Sequence, residues 1–326
     1  MSISAAEIVF TDVTKRYPGR DSAAVRNLSL VVPAGDICVL VGPSGAGKTT
    51  AMKLVNRLID FDEGDITIDG QSIRKLDVTE LRRGIGYVIQ QIGLFPNMTV
   101  AENIGVVPRL LGWDSARRRR RAEELLALLA LPPGEFADRY PNELSGGQAQ
   151  RVGVARALAV DPPVLLMDEP FAALDPINRE AVQDEFLRMQ EKLRKTILFV
   201  SHDIDEAVKM ADRIAIFHSG RLVQFAAPDE LLARPADAFV ASFVGRDRTL
   251  KRLRLIRVAE VMTNDGAASI DKKAPAVSPD DDLRRVAALF LEHGAAALRC
   301  IDGEGRVIGV VTRDAVAARL AIEDSP

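Results

Sequence analysis

Two stretches of this sequence place residue types at spacings suited to phosphate chemistry. Gly42-Pro43-Ser44-Gly45-Ala46-Gly47-Lys48-Thr49 fits G-x-x-x-x-G-K-[ST], follows the apolar run Ile37-Cys38-Val39-Leu40-Val41 and opens a helical pattern at Thr49. Glycines at those positions let backbone N–H groups curl around a phosphate, and a helix beginning there points its positive end at the anion. Lys48 is the residue to reach the β- and γ-phosphates, and Thr49 offers a hydroxyl to the Mg²⁺ that bridges them. The second stretch, Val164-Leu165-Leu166-Met167-Asp168-Glu169, is an apolar strand run ending in adjacent carboxylates. Open α/β sheets bind ligands at the carboxyl ends of their strands. Asp168 is therefore the expected Mg²⁺ partner. Successive strand residues face opposite ways, which would turn Glu169 toward an attacking water.

The elements that must position these residues are legible in outline. From Glu7 to about Val244, short β-branched runs alternate with amphipathic helical stretches, the pattern of an α/β domain; Ile197-Leu198-Phe199-Val200 is a further strand. Between Thr99 and Ala159 the strand signals vanish, so a helical subdomain is inserted before the Val164 strand. After Phe243 comes a basic stretch carrying Arg246, Arg248, Lys251, Arg252, Arg254 and Arg257, then a second short α/β pattern from Val258 onward. The expected division is an ATPase domain over 1–245 with its helical subdomain at about 92–160, a basic linker over 246–257 and a small domain over 258–326. No period of 20 to 50 residues recurs, which argues against a solenoid or propeller.

Composition narrows the function classes. The 326 residues are 47% hydrophobic and 27% charged, enough for two domains with cores of their own. A net charge of −3 offers no global attraction for nucleic acid, and no nucleic-acid partner is expected. No apolar run approaches the roughly 18 to 20 residues that span a bilayer, and Met1 to Glu7 lacks a signal-peptide pattern, so a cytoplasmic location is expected. Cys38 and Cys300 lie in apolar runs without metal-ligand spacing and read as core thiols. Arg117 to Arg121 opens a helical stretch and reads as a solvated face.

With these residues on the page the chain resembles an ATP-binding cassette (ABC) subunit, a P-loop NTPase, over nearly all of residues 7 to 245. Leu144-Ser145-Gly146-Gly147-Gln148 is similar to the family's signature motif. Read without the family, it is equally a helix N-cap with flexible glycines. The resemblance implies that Ser145 and Gly147 contact the γ-phosphate held by an opposite copy, so that two chains sandwich ATP. It further implies nucleotide contacts from Gly42, Ser44, Gly45, Gly47, Lys48, Thr49 and Thr50. Tyr17 would stack on adenine, although a tyrosine near a turn also packs. Gln90 would sense Mg²⁺ and water, Asp175 would cross the dimer interface, and His202 would contact the γ-phosphate. Glu169, His202 and Gln90 form the implied catalytic set, and Thr49, Gln90 and Asp168 the implied metal set.

The segment Gln90-Gln91-Ile92-Gly93-Leu94-Phe95-Pro96 resembles the osmoprotectant branch, whose members import glycine betaine, choline, carnitine or proline. In importers this region receives a helix of the membrane permease. The resemblance implies a permease partner, indirectly a substrate-binding protein, and a peripheral place on the cytoplasmic face of the inner membrane. Recognition of a quaternary ammonium needs an aromatic cage, and one Trp and three Tyr make this chain a poor holder of such a solute. Val258-Ala259-Glu260-Val261-Met262-Thr263 with Val307 to Asp314 resembles one CBS module. Nucleotide-binding CBS modules commonly carry an aspartate three residues after the threonine, and here Ala315 stands there. The tail therefore reads first as a dimerisation or regulatory spacer. Two other functions are compatible with the same motor: import of another small polar solute, and a soluble adenine-nucleotide-responsive regulator.

Overall fold

The computed structural model describes residues 5–19, 22–90, 93–172, 174–264, 270–271 and 274–321, with backbone only for 176–178. Packing divides it into two compact units, Met1–Phe225 and Ala226–Pro326.

The first unit carries strands β1 (Ile8–Lys15), β2 (Val25–Val32), β3 (Ile37–Val41), β4 (Glu63–Ile68), β5 (Gln71–Ser72), β6 (Ile85–Val88), β7 (Val164–Asp168), β8 (Thr196–Val200) and β9 (Arg213–His218), with β10 (Arg221–Ala226) at its end. They form a four-stranded sheet in the order β2-β1-β4-β5 and a six-stranded sheet in the order β10-β9-β3-β8-β7-β6. In the larger sheet β6, β7, β8, β3 and β9 run parallel. Every residue of β3, β7 and β8 is buried, as continuous apolar runs require when a sheet is covered on both faces. The smaller sheet is antiparallel and alternates: Val25, Leu28, Leu30 and Val32 of β2 point inward while their neighbours are mostly exposed. Those inward residues share one core with Ala51, Met52, Leu54 and Val55 of the Lys48–Val55 helix and with Leu40 and Leu198 of the larger sheet. The helix that follows the phosphate loop is thus fixed by apolar contacts to both sheets.

Residues 93–163 contain no strand; helices span Val100–Ile104, Val106–Leu110, Ser115–Leu128, Pro133–Phe136 and Gly146–Ala157. Two side chains hold the connections. The buried Asn103 amide donates to the carbonyls of Phe95, Met98 and Thr99 and accepts from Phe95 N–H, pinning the Phe95–Thr99 loop. Arg121 donates to the Leu158 and Ala159 carbonyls at the end of the Gly146–Ala157 helix. Arg119 pairs with Glu123 and Asp138, and Arg117 lies 3.6 Å over the Trp113 ring. The Arg117–Arg121 run is therefore partly a fastening and not only a solvated face.

The second unit begins with helices Pro228–Ala233, Ala238–Val244 and Arg248–Arg252 and continues into a three-stranded sheet, β11 (Ala276–Val277), β12 (Ala297–Ile301) and β13 (Val307–Thr312), backed by helices Leu283–His293 and Arg313–Leu320. Leu253, Ile256, Val258, Leu283, Leu298 and Val311 meet in its core. The unit starts earlier than the change of composition near residue 245 because the Pro228–Ala233 helix packs on the Arg248–Arg252 helix. Arg252, one of the basic stretch, is only 3% exposed; its guanidinium donates to Asp229 at 2.6 Å and to the Leu320 and Arg319 carbonyls. Cys38 and Cys300 are buried free thiols, and burial pushes the pKa of both up.

Candidate active site

The phosphate loop turns tightly between β3 and the Lys48–Val55 helix. Gly42 and Gly47 have φ of 145° and 105°, and a Cβ added there would lie 2.1 Å from the Phe217 carbonyl oxygen and 2.3 Å from that of Ala24. Only glycine fits either position. Lys48 is 4% exposed, and its Nζ donates to the Gly42 and Pro43 carbonyls at 2.7 and 3.0 Å. Burial lowers its pKa, against the pull of Glu169 and Asp168. The ammonium has exchanged water for weak neutral acceptors, a state that an anionic phosphate would improve. A cleft of about 290 Å³ opens over the loop, lined by Tyr17, Ser44, Gly45, Gly47, Thr50 and His202 among others. The Tyr17 hydroxyl lies 3.5 Å from Thr50 Oγ1.

Parallel register brings the carboxylates to this loop. Asp168 ends β7 opposite Val200 of β8, and Leu40 of β3 is also opposite Val200. Asp168 accepts from the Thr49 hydroxyl at 3.1 Å, and burial raises its pKa despite that bond. A buried carboxylate beside a hydroxyl, with no salt-bridge partner among the described residues, is a donor pair suited to a hard divalent ion such as Mg²⁺.

Glu169 differs from the strand-alternation expectation. It lies beyond the end of β7 with φ of 48°, so a left-handed turn, not the pleat, directs its side chain. Its N–H donates to the Val200 carbonyl at 3.0 Å, which holds the turn in place. Gln90 Nε2 donates to Glu169 Oε2 at 2.9 Å, and His202 Nε2 meets Glu169 Oε1. His202 Nδ1 lies 3.3 Å from Lys48 Nζ. Gln90, Glu169, His202 and Lys48 thus form one chain of contacts, assembled from four separate segments.

Ser145, Gly147 and Asp175 line a different place. Ser145 caps the Gly146–Ala157 helix in a capping box, accepting from Gln148 N–H while Gln148 Oε1 accepts from Ser145 N–H. A Cβ on Gly146 would sit 3.8 Å from Leu174, the residue before Asp175. These segments adjoin one another, and none of the three residues lines the phosphate cleft. Gln91 and Ile92 of the osmoprotectant-like segment lie outside the described residues. One group escaped the sequence reading: Ser201, Glu206 and Gln183, hydrogen-bonded behind His202. Asp203, which caps the Ile204–Met210 helix, was the available signal that a fixed turn follows His202.

The loop, the strand-end carboxylate and the parallel sheet define a P-loop nucleoside triphosphatase. Comparison with known proteins narrows this further. Residues 25–172 match the ABC transporter family model and residues 258–322 match the CBS domain model. The chain is 54% identical over 309 residues to the osmoprotectant import ATP-binding protein OsmV of Salmonella typhimurium, covering 94% of this chain and 79% of that protein. It is 48% identical to the glycine betaine/carnitine/choline transport ATP-binding protein OpuCA of Bacillus subtilis, with coverages of 92% and 76%. It is 44% identical to the glycine betaine uptake system ATP-binding protein YehX of Escherichia coli, with coverages of 93% and 97%. Among solved structures, a dimeric post-hydrolysis state of the ATP-binding cassette MJ0796 bound to ADP and Pi superposes with a TM-score of 0.60 at 34% identity, covering 68% of this chain and 98% of that one. The chain belongs to the ABC transporter family, as an ATP-hydrolysing subunit with one C-terminal CBS module.

Proposed function

We propose that this chain energises import of a quaternary-amine or related osmoprotectant of the glycine betaine, choline, carnitine or proline type. Two copies would close on ATP beneath an integral-membrane permease fed by a substrate-binding protein. The carrying observation is the convergence of Gln90, His202 and Lys48 around Glu169 in a chain that matches import ATPases over more than nine-tenths of its length. No helix among the described residues is long and apolar enough to cross a membrane, so attachment to the inner membrane's cytoplasmic face would come through the permease.

In this reading the backbone of Gly42 to Gly47 cradles the β-phosphate, and Lys48 leaves its carbonyl acceptors for the β- and γ-phosphates. Thr50 and Ser44 border the phosphate path, and Tyr17 meets adenine. Thr49 and Asp168, with Gln90, would hold Mg²⁺, which supplies positive charge to the phosphates when bound. Glu169 Oε accepts a proton from water as the water oxygen bonds to the γ-phosphorus. The bond to the bridging oxygen breaks, and that oxygen leaves with ADP. Gln90 and His202 hold the two Glu169 oxygens, which keeps the base from rotating away. Ser145 and Gly147 would complete the γ-phosphate site of the partner copy, with Asp175 crossing between them. The test is uptake: reconstituted with its permease, the wild-type chain drives ATP-dependent glycine betaine accumulation and E169Q does not. ATP-dependent complex formation without betaine uptake would keep the importer and reject the solute.

A further inference from the structure

His202 faces Glu169 and Lys48, yet its side chain is 46% exposed, so burial does not hold it. Its two neighbours are held instead. Ser201 is 2% exposed; its N–H donates to the Leu40 carbonyl at 3.0 Å and its hydroxyl donates to Glu206 Oε2 at 2.5 Å. The other Glu206 oxygen accepts from Gln183 Nε2 at 2.8 Å, and Gln183 is 5% exposed on the Pro176–Leu193 helix. On the other side, Asp203 caps the Ile204–Met210 helix with one oxygen and faces Arg179 NH1 at 3.9 Å with the other. Arg179 also donates to the Leu174 carbonyl. Residues 179 and 183 are four apart and therefore share a helix face. Both flanks of His202 thus rest on one face of the helix that begins just after Asp175.

We propose that Glu206 and Gln183 are positioning residues for ATP hydrolysis: by fixing Ser201 they aim His202 at Glu169. The inference rests on the reading of His202 in the hydrolysis site. Glu206 is suited to the task because its carboxylate accepts from two donors on different elements, and burial makes those bonds stronger and their loss more disruptive. Burial also raises the Glu206 pKa although both donors pull it down, so the group is held in place at a desolvation cost with no charged partner in hydrogen-bond contact among the described residues. Nothing in Glu206 needs to touch nucleotide; its effect passes through the backbone of residues 201–203.

The experiment measures ATP turnover of the full chain in four forms: wild type, E206A, H202A and the double variant, with E206Q as the conservative rescue. E206A is expected to lower kcat about 10- to 100-fold with the KM for ATP changed less than about twofold, because aim is lost and binding is not. E206Q is expected to recover most of the rate, since its amide oxygen still accepts from Ser201 and the Gln183 amide can flip to accept from its NH₂. The double variant is expected to be no slower than H202A, as residues acting through one another are not additive. Additive losses, or an E206A kcat within twofold of wild type, would overturn the proposal while leaving the His202 reading intact. An H202A chain as fast as wild type would overturn both. Where E206A fails to fold, Q183A takes its place, and with three histidines in the chain the His202 ring resonance is readily assigned. That resonance moves in Q183A if the network aims the ring; an unmoved resonance rejects the aim.

Discussion

Glu169 occupies a left-handed backbone conformation that costs a non-glycine residue about 1 to 2 kcal/mol, held by its bond to the Val200 carbonyl. Local strain of this kind aims a carboxylate where the sheet alone would not. E169Q is predicted to keep ATP binding and lose about 3 to 5 kcal/mol of transition-state stabilisation, read as phosphate release per site; retained fast turnover would exclude Glu169 as the base. G47A is predicted to abolish ATP binding and lower the melting temperature, because its Cβ meets the Ala24 carbonyl oxygen at 2.3 Å with φ at 105°; equilibrium binding of a fluorescent ATP analogue checks it. At this scale residue types were legible and directions were not. Lys48, Thr49 and Asp168 announce themselves by spacing, whereas the turn that aims Glu169 depends on its N–H donating to the carbonyl of Val200, 31 residues further along, which no local pattern carries.

Helices and strands explain which parts of the sequence reading held. The apolar runs of β3, β7 and β8 predicted buried parallel strands because nothing polar interrupts them, and all three are buried throughout. The antiparallel sheet formed by β1, β2, β4 and β5 was not separated from the parallel one, since its pairings are non-local: Ile8 pairs with Val32 on one side and Ile68 on the other. Ser145 remained ambiguous in sequence because one residue can serve as cap and ligand. The two roles separate by substitution: S145A loses the cap, about 1 kcal/mol, whereas S145G keeps it within a few tenths. S145G is therefore predicted to melt near wild type while its turnover falls more than about tenfold; normal turnover in S145G would reduce Ser145 to a cap. In the second unit, Asp229 accepts from both Arg252 and Arg319. Burial alone would raise its pKa, and the two guanidinium groups outweigh burial and bring it below the ordinary carboxylate value. A depressed folded pKa means the stabilisation is full above the unfolded value of about 4 and disappears as pH falls through the folded pKa. D229A leaves the buried Arg252 without a carboxylate and is predicted to destabilise this unit by about 3 kcal/mol at neutral pH, with the difference from wild type vanishing in strong acid. Melting curves across pH 2 to 7 test the sign.

For the whole molecule, the CBS module adds a second compact unit with a core of its own. Thr312 accepts from Ala315 N–H as the cap of the last helix, and Ala315 stands where nucleotide-binding modules of this kind commonly carry an aspartate. In the proposed reading the motor needs a second copy to supply Ser145 and Gly147 to its γ-phosphate site. The direct test of the account is osmotically induced uptake of radiolabelled glycine betaine in cells lacking this chain, complemented with wild type or E169Q. The account predicts uptake restored by the wild-type chain and absent with E169Q; equal uptake with either form, or none with wild type, would contradict it.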